Sequence, residues 1–158
     1  MLTVLFMKSM QQWFDEYAES HQNITNQKIH FICVPVIYFS IVGMLMSIPS
    51  KIIGNLLQFE NQFITNWAAV IILFVLLFYL IHSFKSFVSM FIFSAVCVIF
   101  NSYLSLYLPL FLTSLILFIV AWIGQFYGHK LEGKKPSFFK DLQFLLIGPA
   151  WVFEKIKK

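Results

Sequence analysis

Four long apolar stretches, at 31–49, 64–82, 87–100 and 103–126, set what this 158-residue chain can fold into. A helix needs about 20 apolar residues to cross the hydrocarbon core of a bilayer. In lipid every backbone N–H and C=O must be satisfied internally, and unbroken apolar runs do this as α-helices. Composition agrees: charged residues are only 11% of the chain and 20 residues are Phe, where soluble domains carry roughly a quarter charged residues. The expected fold is all-α, an integral membrane helical bundle with about four transmembrane helices. The stretch 87–100 is short for a span and predicts local thinning of the bilayer. The last two stretches predict a helical hairpin turning at "NSY", residues 101–103.

The flanks differ from the spans. Leu5, Phe6, Met10, Trp13, Phe14 and Tyr17 recur at three- and four-residue intervals with Asp15, Glu16 and Glu19 between them, the pattern of an amphipathic helix. With no basic n-region and no small-residue cleavage site, this start does not read as a signal peptide. Beyond residue 128 the chain turns polar and Lys-rich. Residues 142–153 are apolar again but only about half a span long, and Gly148-Pro149 is expected to break them. They read as an interfacial or re-entrant segment. The organisation is one membrane domain over 1–158: amphipathic helix and turn at 1–29, four spans at 30–126, and a site helix with the interfacial segment at 127–158.

The net charge of +4 comes from 11 Lys and no Arg. Without the planar fork of Arg, nucleic-acid binding is a poor reading. Cys33 and Cys97 lie in apolar runs with no CxxC spacing and read as small buried hydrophobes. With four spans, Lys8, Lys28, Lys85 and the seven lysines from Lys130 to Lys158 fall on one side, and only Lys51 on the other. The positive-inside rule makes the Lys-rich side, with both termini, cytoplasmic.

The same topology gathers the four histidines at one end. His21 and His30 precede the first stretch, His82 closes the second and His129 follows the fourth. On one continuous helix His21 and His30 would point to opposite faces, about 13 Å apart along the axis. The intervening "QNITN" favours caps and turns over helix interior. The amphipathic helix therefore ends near His21, Thr25 or Asn26 caps a helix starting near Gln27, and the two rings can face each other. At the other end of the chain His129 and Glu132 share a helix face. Gly128 admits a neighbouring backbone, and Pro136 is expected to stop that helix. Imidazoles with one carboxylate form the ligand set of non-haem Fe(II) oxygenases, and zinc or manganese accepts such ligands too. Plainer readings stay open: histidines as membrane-edge anchors, Glu132 paired with Lys134 or Lys135, His82 as a span end, and Glu154 either solvated beside Lys155 or folded back toward the site. A small transporter of metals or solutes would carry polar groups near the midplane, whereas here they sit at one edge. A zinc hydrolase and a structural factor are further alternatives.

The chain resembles the small membrane family of 2-hydroxy fatty acid dioxygenases. Tyr17, His21, Asn26, Ile29, His30, Val34 and Pro35 fit the first half of that family's pattern. Trp122, Gln125, Phe126, Gly128, His129, Glu132, Pro136, Pro149 and Glu154 fit the second. Where the family often shows Phe before the Glu and Arg before the Pro, this chain has Leu131 and Lys135. The resemblance implies an Fe(II)-dependent dioxygenase that takes molecular oxygen and a 2-hydroxy fatty acid and shortens the chain by one carbon. It implies that His21, His30 and His129 bind iron and that Glu132 is a fourth ligand or an acid/base group. Asn26 and Tyr17 would orient ligands or the substrate carboxylate. No role carries over to His82.

Overall fold

The computed structural model describes residues 8–58, 61, 63–133 and 138–156, with the side chains of the last helix from Phe144 onward. It is all-helical among these residues. The elements are α1 (Met10–Glu19), α2 (Ile24–Met46), α3 (Lys51–Leu57), α4 (Trp67–His82), α5 (Phe84–Leu104), α6 (Leu110–Glu132) and α7 (Phe138–Ile156).

Helices α2, α5 and α6 are each long and apolar enough to cross a membrane. The apolar helix α4 has 16 residues, roughly 24 Å at 1.5 Å per residue, and is the short one of the four. The expected short span, 87–100, is instead the core of the 21-residue α5. Ser83 caps α5, its hydroxyl accepting from Ser86 N at 3.3 Å, so Lys85 lies in the first turn of the helix rather than in a connecting turn. The far end also corrects the expectation of a hairpin at 101–103. Asn101 stays helical because its amide donates to Cys97 O and Phe39 O, at 2.9 and 3.2 Å. The chain turns over residues 105–109 instead.

Helix α1 is the expected amphipathic helix over its described part; Leu5 and Phe6 lie outside the described residues. Ser9 and Gln12 close a capping box at its start. Its buried residues Met10, Trp13, Phe14 and Tyr17 fall on one stripe. That stripe packs on α7, with Tyr17 against Phe144 and Trp151, and joins Val152 of α7 and Phe78 and Tyr79 of α4 in one buried cluster. The helix thus lies over one end of the bundle.

Gly148-Pro149 does not break α7, contrary to expectation. The helix runs through Pro149, whose missing N–H and ring free carbonyls in the preceding turn. The Tyr79 hydroxyl donates to the carbonyl of Leu146 there, and both Tyr79 and Pro149 are fully buried. The carbonyl that loses its donor at Pro149 is that of Leu145; the neighbouring helix holds the adjacent carbonyl of Leu146.

Helix α2 is central. It runs antiparallel to α6 along most of its length and also packs on α4, α5 and α7. The α2–α6 approach is set by small residues. Gly124 faces Cys33 and Ile29, Gly128 faces Asn26 and His30, and Gly43 faces Ser114 of α6 and Asn101 of α5. Gly124 and Gly128 form the small-xxx-small spacing that lets membrane helices approach closely. A Cβ at Gly43 would collide with the Ser114 hydroxyl and the Asn101 carboxamide oxygen. Since Asn101 is pinned by its two hydrogen bonds, Gly43→Ala is expected to cost about 1–3 kcal/mol, read as a lower midpoint in denaturant titration of the detergent-solubilised protein. Outward-facing residues such as Phe74, Phe91, Ile119 and Ile123 are exposed, an apolar surface suited to lipid.

Candidate metal centre

Three helix ends meet under α1. Tyr17 closes α1, His21 follows it in the turn, Asn26 and His30 ride the first turns of α2, and His129 and Glu132 close α6. As the sequence indicated, the helix breaks between His21 and His30. The break differs in detail: α1 ends at Glu19 with Ser20 as its C-cap, and Asn23 rather than Thr25 or Asn26 caps α2. The Asn23 side chain accepts from Thr25 N at 2.8 Å and Asn26 N at 3.2 Å. Asn26 is inside the helix because its side chain is needed elsewhere.

That need is Glu132. One of its oxygens accepts from Gln22 N at 2.8 Å. The other accepts from Asn23 N at 3.0 Å and from Asn26 Nδ2 at 2.9 Å. A carboxylate facing the N–H groups at a helix start is favoured by the helix dipole and by charge-assisted hydrogen bonding. Glu132 thus clips the turn carrying His21 to the end of α6. Gly133, at φ 70°, ends α6 just after it, a left-handed position that suits glycine. The sequence pointed to Pro136 as the stop; it lies outside the described residues. The close approach expected at Gly128 is present: a side chain there would run into the Asn26 oxygen.

The imidazoles of His21, His30 and His129 converge. Ring centroids are 4.3 Å apart for His21–His30, 5.0 Å for His30–His129 and 5.5 Å for His21–His129. All three are buried, and one ligand atom from each lies within 4.8 Å of the others. Two of the rings are oriented from behind. Nδ1 of His21 lies 2.6 Å from Tyr17 O, and Nδ1 of His30 lies 2.9 Å from Asn26 O. A carbonyl only accepts, so each Nδ1 carries the proton and each Nε2 keeps its lone pair. This is the arrangement by which backbone carbonyls orient metal-binding histidines. His30 Nε2 is buried and makes no hydrogen bond among the described residues. Tyr17 stacks flat on His21, with centroids 4.1 Å apart and planes 7° apart.

These observations fit a divalent transition metal: three buried imidazoles with converging nitrogens, two of them with Nδ1 turned to a carbonyl and Nε2 left as the ligand atom, suit Fe(II), Zn(II) or Mn(II). Glu132 is not in the group of mutually close ligand atoms among the described residues. Neither are the two residues left open from sequence. His82 closes α4, with Nδ1 2.7 Å from Phe78 O. Glu154 turns to Lys85, with Nζ–Oε2 at 2.8 Å, rather than toward the histidines.

A cavity of about 30 Å³ adjoins the cluster. His30, Val34 and Ile37 of α2 line one wall, Trp122, Gln125 and His129 of α6 another, and Phe144 and Leu145 of α7 a third. The α6 residues are spaced i, i+3, i+7, one helix face. The sequence marks Trp122 and Gln125 only as part of the family pattern; their spacing from His129 is the signal that puts them on its helix face.

No curated protein and no solved structure matches the chain. With the helices and the histidine cluster established, one comparison does: the profile of the family described as 2-hydroxy-palmitic acid dioxygenase Mpo1-like matches residues 7–158, so the chain belongs to that family.

Proposed function

We propose that the protein is an Fe(II)-dependent dioxygenase of 2-hydroxy fatty acids, forming a fatty acid one carbon shorter. With O2 as co-substrate, carbon dioxide and water close the balance. The observation that carries this reading is the buried three-histidine cluster with two Nδ1 atoms tied to carbonyls, in a chain of this family. His21, His30 and His129 would hold the metal. Fe(II) held there would supply the redox chemistry that activates O2.

The protein's own part is positional. Tyr17 O and Asn26 O fix the tautomers of His21 and His30. The flat Tyr17 ring supports His21. Glu132 and Asn26 hold the turn that carries His21. Apolar side chains exclude water around the substrate's first carbons. We read the whole chain as one membrane domain, with the histidine end and both termini on the Lys-rich cytoplasmic side.

The test uses the detergent-purified protein loaded with Fe(II) under anaerobic conditions. About one iron per chain, and oxygen uptake on adding 2-hydroxypalmitate but not palmitate, with pentadecanoate as product, are expected. Bound zinc with no oxygen uptake under iron loading would move the protein to another reaction class.

A further inference from the structure

The cavity beside the histidines is covered at one end by α1 and walled on one side by α7. At the end, the buried Tyr17 of α1 lines it. Along the side, α7 contributes Phe144 and Leu145 to the wall. Yet among the described residues α7 packs mainly on α1, α2 and α5, is hydrogen-bonded to α4 through Tyr79, and meets α6 at most marginally. The seam between α6 and α7 is therefore the weakly packed wall. Its α6 edge is apolar and exposed: Ile119 and Phe126 sit one turn either side of Trp122, on the same side of the helix, and both are about half exposed. This surface faces lipid in a membrane-inserted bundle.

Besides His129, two polar groups stand on the α6 wall. Trp122 Nε1 is buried and has no acceptor among the described residues. A buried donor without a partner calls for an explanation. Trp13 Nε1 shares that condition, but Trp13 lies beneath the Lys8 ammonium and does not line the cavity. Gln125 is 7% exposed and lines the cavity one turn from His129, with two donors and one acceptor on its amide. Trp122, Gln125 and His129 are strung over two turns, roughly 10 Å along the axis. Apart from His30, the wall on α2 and α7 is Val34, Ile37, Phe144 and Leu145. The cavity volume of about 30 Å³ holds two or three water-sized groups, at about 10–15 Å³ each. That admits a carboxyl and hydroxyl head but not a long acyl chain.

We propose that a single-chain acid reaches the histidines sideways from the bilayer through the α6/α7 seam, its head bound by Gln125 and Trp122 and its tail left in lipid. This rests on the dioxygenase reading and adds to it a specificity: the protein reads the head and ignores the chain length. A tunnel that enclosed the tail would measure it instead.

The test is equilibrium binding, without oxygen, to the Fe(II)-loaded protein in phosphatidylcholine nanodiscs. The ligands are 2-hydroxy acids of about 12 to 20 carbons, with concentrations expressed as mole fraction in the lipid. For the wild type, dissociation constants within about threefold across the series are expected. Gln125→Leu and Trp122→Phe, at unchanged iron content, should each weaken binding about tenfold, the loss of one hydrogen bond to a charged head. Wild-type binding that both variants retain within twofold would overturn the role of these residues. Affinity that changes more than tenfold along the series would overturn the tail-out arrangement. A wild type that binds iron but none of the acids would overturn this proposal and the dioxygenase reading together.

Discussion

A His30→Ala protein is expected to keep its helices and lose its metal. His30 is 1% exposed and lies between the other two rings, so its removal takes one of three donors and the one nearest both partners. Affinity for Fe(II) or Mn(II) should fall at least a hundredfold, and oxygen uptake with it. The fold should tolerate the change. The new cavity costs about 1–3 kcal/mol, but the substitution also removes a buried Nε2 that has no hydrogen-bond partner in the described protein, a burden of similar size. Two readings without activity check this: metal per chain by mass spectrometry, and the thermal shift on adding Mn(II). A ligand that binds only the folded state at a hundred times its dissociation constant adds about 2.7 kcal/mol of stability. The wild type should show that shift and the variant should not. Equal shifts in both would return the histidines to the role of buried packing groups.

The parts of this centre that could be seen in the sequence are those where side-chain chemistry is unusual for its surroundings. Histidines at the ends of apolar stretches stand out because ionisable groups at membrane depth are costly. "QNITN" stands out because Asn and Thr compete with the helix for backbone hydrogen bonds. Which of those residues caps α2 was not legible. Asn23, Thr25 and Asn26 are all able caps, and the choice is made by Glu132, more than a hundred residues away, which engages Asn26. Span limits were misplaced for a related reason. Lys85, Ser86, Asn101 and Ser102 look like loop in a hydropathy reading, but Ser83 caps α5 and the Asn101 NH2 donates to Cys97 O and Phe39 O within the bundle. The α2–α6 contact through Gly124 and Gly128 needed the partner helix to be known. Pro149 reads as a break because what holds the helix there, the burial of its ring and the Tyr79 hydroxyl bond to Leu146 O, comes from other elements.

Glu132→Gln is expected to separate holding the site from performing the reaction. The carboxylate accepts from three N–H donors, two of them in the backbone of the turn after His21. A carboxamide offers one oxygen and turns an NH2 toward at least one of those donors. The clip at residues 22–26 then weakens, and the His21 ring loses part of what fixes it. Loss of such support to a metal ligand typically costs 10–100-fold in metal affinity, and that is the expected drop, measured by Fe(II) titration of the anaerobic apoprotein. Because both oxygens are already engaged with the turn, the rate at saturating Fe(II) and 2-hydroxypalmitate should stay within about threefold of wild type. Glu132→Ala, which removes the acceptor without adding a donor, should fall on the same line: metal affinity lost, rate at saturation kept. The opposite pattern, full metal occupancy with a rate down a hundredfold or more, would mean that Glu132 leaves the turn during turnover and exchanges a proton with the substrate. The contrast is sharp because a group that only positions a ligand acts through occupancy, which excess metal restores, whereas an acid or base acts on the reacting atoms and no amount of metal replaces it.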